Sequence, residues 1–208
     1  VSAIKMKMFF KSVVVVAGFA MSFGASAAGD VEAGKAASAT CAGCHGADGN
    51  SVVASFPKLA GQGTKYLVKQ MNDIKSGARP VLEMTGLLDA LSAQDMENLA
   101  AYFQSQKASP GQAKKELVEK GEVLYRIGNP ATKVAACTAC HGPAGAGVDL
   151  AVFPGLAGQH ADYIASQLKK FRNGERSNDG DTRMMRSVAS RLSDKEIEAV
   201  ASYISGLY

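Results

Sequence analysis

A block of seven residues, Phe56-Pro57-Lys58-Leu59-Ala60-Gly61-Gln62, returns as Phe153-Pro154-Gly155-Leu156-Ala157-Gly158-Gln159. Each copy is followed, without a gap, by tyrosine (Tyr66, Tyr163), glutamine (Gln70, Gln167), glycine (Gly77, Gly174) and arginine (Arg79, Arg176). Further on, Leu91-Ser92 with Glu97, Ala100 and Tyr102 matches Leu192-Ser193 with Glu198, Ala201 and Tyr203 at the same spacing. A chain that repeats itself over such a length folds as one unit used twice. The polar stretch between the copies is broken by Pro110 and Gly111 and marks the joint. We therefore expect domains at 28–106 and 115–208 with a linker at 107–114.

Each copy carries one Cys-x-x-Cys-His motif, Cys41-Ala-Gly-Cys44-His45 and Cys137-Thr-Ala-Cys140-His141. Together they use all four cysteines of the chain and two of its three histidines. This spacing fits c-type haem attachment: two thiols three residues apart reach the vinyl groups on one side of a porphyrin, and the histidine that follows is carried under the ring to bind iron. Two covalently bound haems c are the expected cofactors. A zinc site would bring its second cysteine pair within about 15–20 residues, far closer than Cys137 is to Cys44. A redox disulfide of the thioredoxin kind would need strand-rich surroundings, and the flanking segments have helical patterning instead.

The coarse layout is the same in both halves. A helix at about 31–39 or 115–126 precedes the motif, and a glycine-rich loop follows it. A middle helix covers about 63–76 or 161–173. The last helix opens at Ser92 or Ser193, each a plausible N-cap with an acidic residue, Asp95 or Glu196, three positions on. With no alternating β-branched run, the fold is expected to be all-α, with loops wrapped around the haems. Halves of this size bury modest cores, and a porphyrin would supply much of the missing apolar surface.

The sixth iron ligand separates electron transfer from catalysis. Met84 lies seven residues before Leu91, and Met185 lies seven before Leu192, so the repeat selects this pair. Met71 aligns with Leu168 and Met96 with Ile197, which marks both as core. Met184 aligns with Glu83 and is expected beside the pocket. His160 aligns with Gly63 and is taken as a surface or capping residue. A thioether ligand stabilises ferrous iron and closes the sixth position to oxygen or peroxide. Pro57 and Pro154 lie twelve and thirteen residues after His45 and His141; their carbonyls are candidates to accept the free N–H of each histidine. The alternative is that these prolines merely shape their loop.

At the N-terminus, Lys5, Lys7 and Lys11 precede an apolar run from Val13 to Phe23, and Ala25-Ser26-Ala27 supplies small residues for a peptidase. We expect residues 1–27 to be a cleaved export signal, cut after residue 27 or 28, since the run is shorter than the roughly 20 residues of a membrane span. Without those three lysines the formal charge falls from +4 to +1, and four haem propionates would bring it to about −3. The basicity is thus no argument for nucleic acid as a partner.

The segments CAGCHGADGNS, FPKLAGQ, VLEMTGLLDALS, FPGLAGQH and NDGDTRMMRSVASRLS resemble the periplasmic di-haem cytochromes c4, two class I cytochrome c domains in tandem. The resemblance runs from Gly29 to Tyr208. It implies one covalent haem per domain, with His45 and Met84 on one iron and His141 and Met185 on the other. It supports the carbonyl roles of Pro57 and Pro154. It also implies a periplasmic, monomeric electron carrier between a cytochrome bc-type donor and a terminal oxidase, with peripheral membrane association left open. The segment KSGARPVLEM before Met84 is shorter than in some members. Two other functions stay open: a peroxidase-like or thiol-oxidising haem enzyme, which needs a vacant distal site, and a redox subunit of a larger complex.

Overall fold

The computed structural model describes residues 28–208; the expected export signal at 1–27 lies outside the described residues. In the first repeat the chain forms α1 (Val31–Ala37), α2 (Ala42–His45), α3 (Thr64–Lys75) and α4 (Ala93–Ser105). The second repeat forms α5 (Val118–Arg126), α6 (Thr138–His141), α7 (Ala161–Asn173), α8 (Met184–Ala189) and α9 (Asp194–Ser205). Among the described residues there is no strand, only two isolated antiparallel bridges, Asn129 with Val134 and Val148 with Phe153. The architecture is all-α, and residues 107–114 join the repeats as irregular chain.

Local chemistry sets the helix ends. Ser92 and Ser193 cap α4 and α9 through complete capping boxes: each serine accepts from the third helical amide, and Asp95 or Glu196 reaches back to the cap. The first helix of each unit is shorter than its pattern suggests. α1 tightens into a 3₁₀ turn at Ser38–Thr40, and α5 starts after one at Lys115–Leu117. Both departures fall at helix termini, where 3₁₀ turns are frequent.

In each repeat the first helix crosses the last. α1 meets α4 at Gly34, where a Cβ would stand 2.0 Å from the carbonyl oxygen of Asn98. α5 meets α9 at Gly121, where it would stand 2.3 Å from that of Ala199. Hydrogen in place of a side chain lets the two backbones approach at both crossings. Around them lie equivalent cores: Leu67, Leu99, Ala100, Tyr102 and Phe103 in the first repeat, and a larger set including Leu124, Tyr125, Ile164, Val200 and Ile204 in the second. Cys41 packs against the first core and Cys137 against the second.

α8 is an element that periodicity does not reveal. It has six residues, starts from Arg183 in the left-handed region (φ 50°), and is held by Arg186, whose backbone N–H and Nε both donate to the Asp179 carboxylate at 2.9 and 2.6 Å. The matching place in the first repeat is a 3₁₀ turn, Leu82–Met84. Six residues are too few to show a helical stripe, and the stabilising contact comes from outside the helix.

The repeats pack on one another with reciprocal contacts, as a pseudo-two-fold relation requires. Arg79 donates to Gln70 in its own repeat and to Tyr163 and Gln167 in the other. Arg176 donates to Gln167 in its own repeat and to Tyr66 and Gln70 in the other. The tyrosine, glutamine and arginine that recur in the sequence are therefore among the residues that join its two halves.

Candidate haem sites

α2 and α6 are single helical turns, each ending at a histidine followed by a glycine with positive φ, Gly46 at 80° and Gly142 at 78°. The turn closes from the histidine N–H to the first cysteine carbonyl, His45 to Cys41 at 3.0 Å and His141 to Cys137 at 2.9 Å. It thereby holds two thiols one turn apart on one side of the helix. None of the four cysteines is paired in a disulfide. Before any haem is attached, burial pushes the Cys41 thiol up and the Cys137 thiol to about 11. The loop after each motif is tied down by a tyrosine hydroxyl: Tyr102 donates to the Ala47 carbonyl and Tyr125 to that of Gly142.

Both histidines are 8 % exposed. His45 donates from Nδ1 to the Pro57 carbonyl at 2.9 Å, and His141 donates from Nδ1 to the Pro154 carbonyl at 2.9 Å. Burial lowers each imidazole's pKa and the carbonyl bond partly offsets this, leaving a neutral ring with Nδ1 carrying the proton. The Nε2 lone pair is then the one available to a metal, as in metal-binding histidines generally. Two thiols on one turn beside a buried imidazole with a committed Nδ1 make a donor set that fits a covalently attached haem.

The methionines are placed differently in the two repeats. Met84 ends the 3₁₀ turn and is half-buried. Met185 is half-buried in α8, whereas its neighbour Met184 is 45 % exposed. Met96 is buried in the core and Met71 packs against it. His160 is not merely a surface residue: it is half-buried and donates from Nε2 to the Ser51 carbonyl of the other repeat at 2.8 Å. Its side chain makes no cap hydrogen bond to α7. Nothing in its aligned partner, Gly63, could have announced that contact.

A second group of functional side chains escapes a motif search because the residues are ordinary ones. Gln62 accepts from Gly155 N–H at 2.8 Å and donates to the Gly155 carbonyl at 3.0 Å. Gln159 accepts from Lys58 N–H at 2.9 Å and donates to the Lys58 carbonyl at 2.9 Å. The only signal for them is their recurrence at the end of the repeated block. Also between the repeats, Arg79 and Arg176 are buried, and neither forms an ion pair among the described residues. Burial alone would push the Tyr66 phenol up, but the guanidiniums of Arg176 and Arg79 pull it below its ordinary value.

Two all-α units, each with a buried histidine following a paired-thiol turn, define a tandem c-type haem protein. The family model for cytochrome c matches twice, at residues 31–107 and 118–207. Cytochrome c4 of Pseudomonas aeruginosa is 59% identical over 184 residues, 88% of this chain and 92% of that one. The crystal structure of reduced cytochrome c4 from Pseudomonas stutzeri superposes with a TM-score of 0.86 at 56% identity, covering 87% of this chain and all of that one. A protein of Stutzerimonas stutzeri named as a thiosulfate dehydrogenase electron acceptor is 41% identical, over 82% of this chain and 80% of its own length. The chain belongs to the cytochrome c family, among the di-haem cytochromes c4. It carries two covalently bound haems c and works in electron transport.

Proposed function

We propose that the protein is a periplasmic carrier that takes single electrons from a cytochrome bc-type donor and delivers them to a terminal oxidase. His45 with Met84 would hold one haem iron and His141 with Met185 the other, and no bond of a substrate is made or broken. The observation that carries this reading is the duplicated ligand set: each repeat presents a buried histidine with its Nδ1 committed to a carbonyl, and a half-buried methionine at the equivalent place. Haem, when bound, supplies a one-electron ferric/ferrous couple whose potential a thioether ligand raises. The chain's part is to hold the histidine rings in one tautomer, to close the sixth position and to keep the repeats in contact.

The two buried arginines fit the same role. They place positive charge at the junction of the repeats, where it would favour any negative charge that a bound haem brings there. Among the described residues no helix is long and apolar enough to cross a membrane. The apolar run at 13–23 is read as an export signal, which supports the periplasmic assignment. The test is turnover: the holoprotein should restore electron flow from a bc complex to an oxidase in membranes stripped of soluble cytochromes. Failure to be reduced by the complex would reject this route.

A second reading is favoured by the 41% identical thiosulfate dehydrogenase electron acceptor. In that reading the donor is a sulfur-oxidising dehydrogenase and the carrier chemistry is unchanged. Reduction by such a dehydrogenase with thiosulfate, and not by the bc complex, would select it.

A further inference from the structure

The carbonyl that orients each histidine belongs to a peptide unit whose N–H is held by the opposite repeat. The Pro154 carbonyl accepts from His141, and the amide of that same planar unit, Gly155 N–H, donates to Gln62 of the first repeat. The Pro57 carbonyl accepts from His45, and the amide of that unit, Lys58 N–H, donates to Gln159 of the second. Both chains read imidazole N–H to carbonyl, through the peptide, to glutamine Oε1. Each glutamine is fixed in turn by the amide after it, Gly63 N–H for Gln62 at 3.0 Å and His160 N–H for Gln159 at 3.1 Å.

We propose that each glutamine is a positioning residue for the haem of the other repeat, so that the two haem potentials are tuned in trans, crosswise, through one peptide plane each. Hydrogen bonds in a chain polarise one another. An acceptor on the amide N–H makes the carbonyl oxygen of the same unit more negative and a stronger partner for the imidazole N–H. A stronger bond there raises the basicity of the ring, favours ferric iron and lowers the potential. The second contact, from Gln62 Nε2 to the Gly155 carbonyl or from Gln159 Nε2 to that of Lys58, grips the next peptide unit and keeps the glutamine oxygen on the amide. Separating the repeats would therefore change both haems, even though each keeps all of its own ligands.

The inference rests on His45 and His141 being the axial ligands of the proposed function. Its test is a pair of variants in the full-length holoprotein, read by redox titration and by the hyperfine-shifted resonances of the two axial histidines. Gln62→Ala should raise the potential of the haem on Cys137 and Cys140 and speed exchange of the His141 Nδ1 proton, leaving the other haem as it was. Gln159→Ala should do the reverse. As a control, Asp149→Ala removes interface bonds to Thr64 and Lys65 without touching either peptide unit, and should leave both haems unchanged. Shifts confined to the glutamine's own repeat, equal shifts in both haems, no shift, or the same pattern from Asp149→Ala would each overturn the proposal. Native spectra without histidine ligation would instead remove the ligand assignment on which it rests.

Discussion

Arg79 of the first repeat donates to the phenol oxygen of Tyr163 in the second at 2.8 Å. The mirror contact, from Arg176 to Tyr66, is 3.1 Å. Because the buried arginines are satisfied across the joint by half-buried tyrosines, the two repeats should unfold together. Tyr163→Phe removes one such bond and should cost about 1 kcal/mol. Arg79→Leu also takes the arginine away from Gln70 and Gln167 and should cost more. With the interface weakened, denaturant unfolding of Arg79→Leu should separate into two transitions where the native protein shows one.

The ligand assignment predicts a contrast between adjacent residues. Met185→Ala should abolish the weak sulfur-to-iron absorption of one ferric haem and lower its potential, and Met84→Ala should do so for the other. Met184→Ala should leave both bands in place, in keeping with its exposed side chain. Optical spectra of the three oxidised variants check this directly.

Gly34 and Gly121 predict a cost that is steric and paired. A methyl group at either position meets a helix carbonyl at 2.0 or 2.3 Å, so the crossing helices must move apart. Gly34→Ala and Gly121→Ala should each destabilise the holoprotein by about 1–3 kcal/mol. The measurement is thermal or denaturant unfolding with haem content held equal.

The capping boxes predict an acid dependence. The Ser92 hydroxyl, then its backbone N–H, holds Asp95 below the ordinary carboxylate value; Ser193 does the same for Glu196, with a smaller contribution from Asn129. A carboxyl depressed in the folded state binds fewer protons than in the unfolded one. Its stabilisation is full above the unfolded value near about 4 and is lost as pH falls through the folded value. Glu196→Gln should therefore lower the denaturation midpoint near neutral pH and flatten its decline in acid. A variant as acid-sensitive as the native protein would contradict this.

Much of this molecule is legible in its sequence because duplication supplies an internal comparison. The all-α architecture and the serine caps follow from pattern and spacing. Lining up the copies singles out Tyr66, Gln70 and Arg79 with their partners before any contact is known. Recurrence does not say what these residues meet, since a conserved position within a repeat is equally compatible with a core or an interface. The roles of Gln62 and Gln159 depend on which backbone faces them, a property of docking rather than of local sequence. α8 and the contact from His160 to Ser51 are harder still, because each occurs in one copy only.

Two haems, each held by one histidine and one methionine, would make this chain a carrier of single electrons. Potentiometric titration of the full-length holoprotein, followed by optical and paramagnetic spectroscopy, tests it most directly. Two one-electron steps are expected, with both haems low-spin and showing the thioether band when ferric. A high-spin haem with a vacant sixth position, or one whose spectrum lacks the thioether signature, would contradict it.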